Sequence, residues 1–283
     1  MKEFLRRSPR YFTSPRKEEE QQIPENLVRK CVGCGELIYV KEWEDNAKVC
    51  PKCGHHERLS VSERITLLLD PGSWQEYDAD LAPGDPLGFV SPKDNYAEKL
   101  ETLQSSLDSL DAAICGMGKI EEMPLTLCVH DFAFLGGTMG SVVGEKIARS
   151  AERAAEMHVP LLTINASGGA RMHEGIVALM QMAKVSVSLA RLGDAGQPHI
   201  SVLADPCMGG VTASHASAAD VIIAEPGAHI GFAGPRVIEQ TIRQKLPARF
   251  QTAEFQLDHG MVDMVTPRSE IRTVLGRLLR LYA

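Results

Sequence analysis

The sequence predicts an α/β protein: a domain of mostly parallel strands covered by helices, with a small metal-binding ribbon ahead of it. Three observations carry that expectation. Four of the seven cysteines fall into two C-x2-C pairs, short apolar runs alternate with helical segments, and glycine pairs stand where two of those runs end.

The chain has 283 residues, 44% hydrophobic and 24% charged, enough for one large domain with an appendage and a sizeable core. A net charge of -7 argues against a general nucleic-acid coat, so a phosphate-bearing ligand would need a local basic patch. No run approaches the length of a membrane span, and "MKEFLRRSPRYFTSPRK" is basic without the apolar stretch of a signal peptide. A soluble cytoplasmic protein with no membrane contact is expected.

Residues 1–26, including "RKEEEQQ", offer almost nothing to bury and read as a flexible charged tail. The ribbon, 27–58, holds Cys31 and Cys34 in "CVGC" and Cys50 and Cys53 in "CPKC", with fifteen residues between the pairs. Each such turn lets two thiolates converge on one tetrahedral ion, and four thiolates leave no open position for water. One structural zinc is therefore expected. A redox dithiol is the alternative, and His55 or His56 could replace a ligand. Cys115, Cys128 and Cys207 lack partner spacing and are expected as small buried hydrophobes.

A connector, 59–95, carries "ERITLLLDPGSW" and the loop-rich "LAPGDPLGF". The main domain, 96–283, opens on the helical "YAEKLETLQSSLDSLDA" and a strand from Gly116 to Ile120. Strand "PLTLCVHDFAF" precedes helix "GSVVGEKIARSAERAAEMH", "VPLLTINAS" precedes "EGIVALMQMAKVSVSLARL", and "HISVLADP" precedes "GGVTASHASAA", with "DVIIAEP" after it. That alternation is the pattern of parallel α/β layering. "RSEIRTVLGRLLRLYA" closes the chain as an amphipathic helix packed on the domain or on a partner.

Two strand ends carry the glycine pairs Gly168–Gly169 and Gly209–Gly210. Ligands of α/β folds sit at the carboxyl ends of strands, where a helix start offers free N–H groups and partial positive charge. The loops could form an oxyanion hole, or each pair could simply permit a tight turn. Neither matches a dinucleotide or phosphate-loop spacing. Ser167, Ser214, His173, His215 and Asp205 supply triad residue types, but no G-x-S-x-G elbow is present, and adjacent Ser214 and His215 on a helix point about 100° apart. Glu174 reads as an acid or base, or as a charge at a helix start.

"CVGC", "CPKC", "GSVVGEKI", "SGGARMHEG", "ALMQMAK", "GGVTAS", "IGFAGPRVIEQTI" and "FQTAEFQLDHGMVD" together resemble the carboxyltransferase β subunit family of bacterial-type acetyl-CoA carboxylase, over nearly all the chain after the tail. The resemblance implies a crotonase-like spiral of ββα units behind a four-cysteine ribbon. It also implies transfer of a carboxyl group from carboxybiotin to acetyl-CoA, giving malonyl-CoA for fatty-acid synthesis. Gly209 and Gly210 would then donate to the enolate oxygen. Gly168 and Gly169 would line the neighbouring wall, and Arg171 would take a CoA phosphate or a structural carboxylate. Biotin would come in trans on the biotin carboxyl carrier protein, charged by biotin carboxylase, and an α subunit would complete an α2β2 carboxyltransferase. Cys207 and Met208 depart from the family pattern, which has small hydroxylic residues there. Secondary nucleic-acid binding by the ribbon and a hydratase or isomerase of the same fold are the alternatives. The latter needs a carboxylate pair, and only Glu174 lies near the glycines.

Overall fold

The computed structural model describes residues 27–92, 94–107 and 109–283, so the charged tail expected over 1–26 lies outside the described residues. In the ribbon, β1 (Val28–Lys30) and β2 (Leu37–Tyr39) pair antiparallel, and α1 (Val40–Asp45) follows. Its two cysteine turns repeat one geometry: the N–H of Gly35 donates to the carbonyl of Cys31, and that of Gly54 to the carbonyl of Cys50, each at 2.9 Å. Both glycines have φ above +70°, which explains the C-x2-C-G spacing of each turn.

The connector is built into the domain. Helix α2 (Val61–Leu68) starts on a reciprocal cap between Ser60 and Glu63. Strand β3 (Gln75–Tyr77) joins the main sheet, and β4 (Val90–Ser91) and β5 (Asp94–Asn95) form a small hairpin leading into α3 (Tyr96–Ser106).

The chain then runs through β6 (Ala113–Ile120), β7 (Met123–His130), α4 (Ser141–Met157), β8 (Leu161–Ser167), α5 (Gly175–Asp194) and β9 (His199–Met208). It continues through α6 (Gly209–Thr212), β10 (Val221–Ala224), β11 (Ile230–Gly231), α7 (Pro235–Ile242), α8 (Ala253–Asp258), β12 (Met264–Val265) and α9 (Arg268–Tyr282). One sheet has the order β12-β10-β9-β8-β7-β6-β3, with β11 beside the end of β9. Neighbours from β7 to β12 are parallel, while β6 pairs antiparallel with both β7 and β3. Gly116 of β6 is required by the β3 crossing, because a Cβ there would lie 2.3 Å from the carbonyl oxygen of Gln75.

Three layers result. Leu125, Leu127 and Val129 of β7 share one apolar cluster with Leu68 of α2 and Ile271, Leu275 and Leu279 of α9. Cys128, between them in sequence, lies in the other cluster with Val143 and Ile147 of α4 and Val185 of α5. Alternation along the strand thus feeds both faces of a fully covered sheet. Cys115, Cys128 and Cys207 are buried, as expected.

Two expectations are corrected. The helix expected over "GGVTASHASAA" breaks after Thr212 into a single 3-10 turn at His215–Ser217. The hydroxyls of Ser214 and Ser217 donate to the carbonyls of Gly210 and Thr212, each at 2.6 Å, competing with the helical ladder. In addition, the helical stretch Met172–Asp194 is long and apolar enough to cross a membrane by length and composition. Ala178, Gln181, Val185, Ser188 and Leu192 are nonetheless buried along one face of α5.

Candidate active site and metal centre

The strand ends of β8 and β9 meet through their glycines. A Cβ on Gly169 would lie 3.2 Å from the Cα of Gly209 and 3.4 Å from the nitrogen of Gly210. Gly169 and Gly209 also have φ of +114° and +61°, so only glycine combines that backbone with that approach. A third strand end closes the group. The N–H of Gly168 donates to the carbonyl of Gly136 at 2.9 Å, and that of Met139 to the carbonyl of Gly169 at 2.8 Å. Gly136 and Gly137 were not singled out in the sequence, although "FLGG" after the β7 run is the same signal.

Most backbone donors of this group already have acceptors. The N–H of Gly169 donates to Ser167 Oγ at 3.0 Å, and that of Gly209 to the carbonyl of Phe232, also at 3.0 Å. Gly209 is therefore not a free donor, a correction to the expected pair: its glycine is needed for backbone shape. Among the described residues, the N–H groups of Ala170 and Gly210 have no acceptor. Unpaired backbone donors at a strand-to-helix junction are suited to an oxygen that gains negative charge.

Arg171 lies beneath this group with its side chain fully buried. Its Nη2 donates to Asp111 and, at 2.8 Å, to the carbonyl of Thr138, and its Nη1 faces Glu174 and the hydroxyl of Tyr96. Burial opposes its charge, but the carboxylate of Asp111 keeps the guanidinium firmly protonated. The guanidinium of Arg171, expected to take a CoA phosphate or a structural carboxylate, thus contacts the carboxylates of Asp111 and Glu174 and has no exposed surface. Glu174 is also buried. Its Oε1 accepts from Tyr96 at 2.7 Å and its Oε2 from the backbone N–H of Ser141 at 2.6 Å, so it places charge at the start of α4 rather than of α5.

The triad residues do not converge. Ser214 is tied to the Gly210 carbonyl, while the Nε2 of His215 meets Asn165 Oδ1 at 2.9 Å inside the core. His173 stacks on Tyr96 at 4.8 Å, and Asp205 pairs with His229. Burial pulls the His215 imidazole well below its ordinary range and that of His130, 5.6 Å away, down to about 4. Both are neutral core histidines.

In the ribbon, the sulfurs of Cys31, Cys34, Cys50 and Cys53 all lie within 4.8 Å of one another, with Cys31 and Cys53 at 3.8 Å. Zinc–sulfur bonds of about 2.3 Å give tetrahedral edges of about 3.8 Å, so the four thiols fit that ion. Burial alone would push the Cys31 thiol up, but nearby N–H groups, including that of Gly33 at 3.3 Å, draw it down to about 7. His56 is not in the ligand set. Its Nε2 accepts the backbone N–H of Arg268 at 3.2 Å.

Comparison with known proteins matches the model of the carboxyl transferase domain to residues 55–253 and that of the acetyl-CoA carboxylase zinc finger domain to residues 29–53. The chain is 62% identical over 282 residues to the acetyl-coenzyme A carboxylase carboxyl transferase subunit beta of Chloroflexus aurantiacus, covering 100% of this chain and 92% of that one. For the same subunit of Herpetosiphon aurantiacus the identity is 62%, covering 100% and 94%. Among solved structures, transcarboxylase 12S with hydrolysed methylmalonyl-coenzyme A superposes with a TM-score of 0.67 at 25% identity, covering 85% of this chain and 42% of that one.

Proposed function

From the premise that this chain belongs to the carboxyl transferase β-subunit family of acetyl-CoA carboxylase, we propose that the meeting of its glycine strand ends is where acetyl-CoA is activated for carboxylation. The protein is a carboxyl transferase with a crotonase-like α/β fold and a four-cysteine zinc ribbon. It acts as one subunit of a multi-subunit carboxylase.

The acetyl methyl becomes a nucleophile only as an enolate, whose thioester oxygen then carries charge. The N–H of Gly210 receives that oxygen, helped by the N–H of Ala170 from the facing strand end. Preorganised donors of this kind act where the charge develops, and each contributes on the order of 2.7–4 kcal/mol to the transition state. Gly168, Gly169 and Gly209 form the wall that lets the thioester come close to the backbone. Carboxybiotin, held on a separate carrier protein, supplies the carboxyl group and the base. Arg171, Asp111 and Glu174 keep the strand ends in register from below and touch no substrate. The ribbon holds one zinc through Cys31, Cys34, Cys50 and Cys53, and its closed coordination leaves the metal structural.

An α subunit supplies the other half of the site. The exposed apolar side chains beside the glycine loops support this: Met172 is 82% exposed and Phe232 71%, with Ile176 and Met180 on α5 and Val237 and Ile242 on α7. The reaction takes place in the cytoplasm with a dissolved carrier. Its product is malonyl-CoA for fatty-acid synthesis.

The unpaired N–H of Gly210 at this meeting point carries the reading. The test is malonyl-CoA formation from acetyl-CoA and carboxylated carrier, with and without the cognate α subunit. Formation only with the α subunit is expected; no malonyl-CoA from the assembled, zinc-replete enzyme would overturn it.

A further inference from the structure

The ribbon is fastened to the sheet by charges far apart in sequence. Glu225, just beyond β10, accepts from Arg64 Nη2 and from Nε and Nη2 of Arg268, each at 2.9 Å. Arg268 also reaches into the ribbon, donating Nη1 to the carbonyl of Ala47 at 2.6 Å, and its backbone N–H goes to His56. Arg64, Glu225 and Arg268 are all buried, and removing one partner would leave a buried charge uncompensated. The ribbon's exit at Arg58 is thereby held at a defined place over the sheet.

Arg58 extends from that exit to β9, the strand that leads into Gly209 and Gly210. Its Nε donates to the backbone carbonyl of Asp205 at 3.0 Å, its Nη2 lies 3.7 Å from the Asp205 carboxylate, and its guanidinium lies 4.0 Å over the ring of Phe132. Asp205 in turn accepts both the N–H and the Nδ1 of His229, at 3.0 and 2.9 Å. His229 immediately precedes β11, and Phe232, the acceptor for Gly209, immediately follows it. The ring of Phe132 lies 4.0 Å from the Cβ that Gly136 lacks. One side chain thus touches the approaches to two of the three glycine strand ends. The gap beneath it, lined by His56, His130, Phe132 and Asp205, has a volume of about 10 Å³, room for a single water.

The Arg58 side chain is 52% exposed, and an ion pair that open contributes little to stability. Its geometry is specific all the same: a carbonyl, a carboxylate and a ring fix one guanidinium. We propose that Arg58 is a positioning residue for carboxyl transfer, tying the zinc ribbon to the Asp205 carbonyl and so setting the direction of the Gly210 N–H. This rests on the reading that Gly210 serves the thioester oxygen.

The test uses the assembled, zinc-replete carboxyltransferase with Arg58→Met, Arg58→Lys and Gly210→Val. With Arg58→Met, zinc content and assembly are expected to stay at wild-type values. Amide exchange over residues 205–212 becomes faster, and kcat falls about tenfold to a hundredfold, as for a small misplacement of a catalytic group, with KM for acetyl-CoA within about twofold. Arg58→Lys, which still offers a donor to the Asp205 carbonyl, recovers part of the loss. Wild-type kcat or unchanged exchange in Arg58→Met overturns the proposal. Gly210→Val shows where the fault lies: low turnover there leaves the acyl-site reading standing and removes Arg58 alone, whereas wild-type turnover there removes the acyl-site reading as well.

Discussion

Gly169 and Gly209 are in mutual contact, each occupying the space where the other's side chain would stand: a Cβ on Gly209 would lie 3.1 Å from the Cα of Gly169. The two strand ends can therefore touch only as bare backbone. Gly209→Ala adds both that overlap and a left-handed φ, costing on the order of 1–3 kcal/mol. A fall in denaturant midpoint is expected, and an unchanged midpoint would mean that the two loops do not meet.

Gly210 has no such strain, since its φ is ordinary and an added Cβ would meet mainly the flexible end of Met182, at 2.8 Å. Gly210→Val is therefore expected to fold and assemble while turnover drops by about a hundredfold or more, with a much smaller change in acetyl-CoA affinity. Normal kcat per assembled complex would make Gly210 architectural.

Arg171→Met leaves Asp111 and Glu174 buried without their cation, and breaking such a buried pair costs about 3–5 kcal/mol. Poor folding yield or a much lower denaturant midpoint is the expected outcome. A normally stable variant with a raised KM for acetyl-CoA would instead return Arg171 to the substrate site.

Freshly purified, reduced protein is expected to carry about one zinc per chain, and Cys31→Ala or Cys50→Ala to release it. Elemental analysis checks this. Zinc-free protein with a native fold would rule out the ion as a structural element.

Acid should destabilise the core through its buried imidazoles. Burial lowers the imidazoles of His130 and His199 to about 4 and about 3 from an ordinary 6.5, and that of His215 well below 6.5. The unfolded chain therefore binds more protons than the folded one below 6.5, so the stability these groups contribute is complete above that pH and is lost as pH falls toward the folded values. Each group changes stability by at most about 1.4 kcal/mol per pH unit. Denaturant melts at pH 7, 6 and 5 should show a progressive loss, reduced in His215→Gln. Equal stability at pH 7 and 5 would contradict it.

What was legible in the sequence is what depends on neighbours along the chain. Two C-x2-C turns present their four thiols locally, and strands and helices announce themselves by their own apolar spacing, so the ribbon and the α/β layering could be read directly. The glycine pairs marked where β8 and β9 end for the same reason: backbone conformation is a local demand. Which N–H stays free is not local. Gly209 loses its donor to Phe232, 23 residues on, while Gly210 beside it keeps its own, because β11 returns along β9 in a register that no single segment encodes. Arg171 looked the same in sequence whether it faced a phosphate or a carboxylate. Only packing brought Asp111, 60 residues earlier, against it in a site closed to water. The ribbon's docking follows the same rule, since Arg64 and Glu225 are 161 residues apart. A charge finds its partner through the tertiary path of the chain, and burial decides whether the pair is structure or surface.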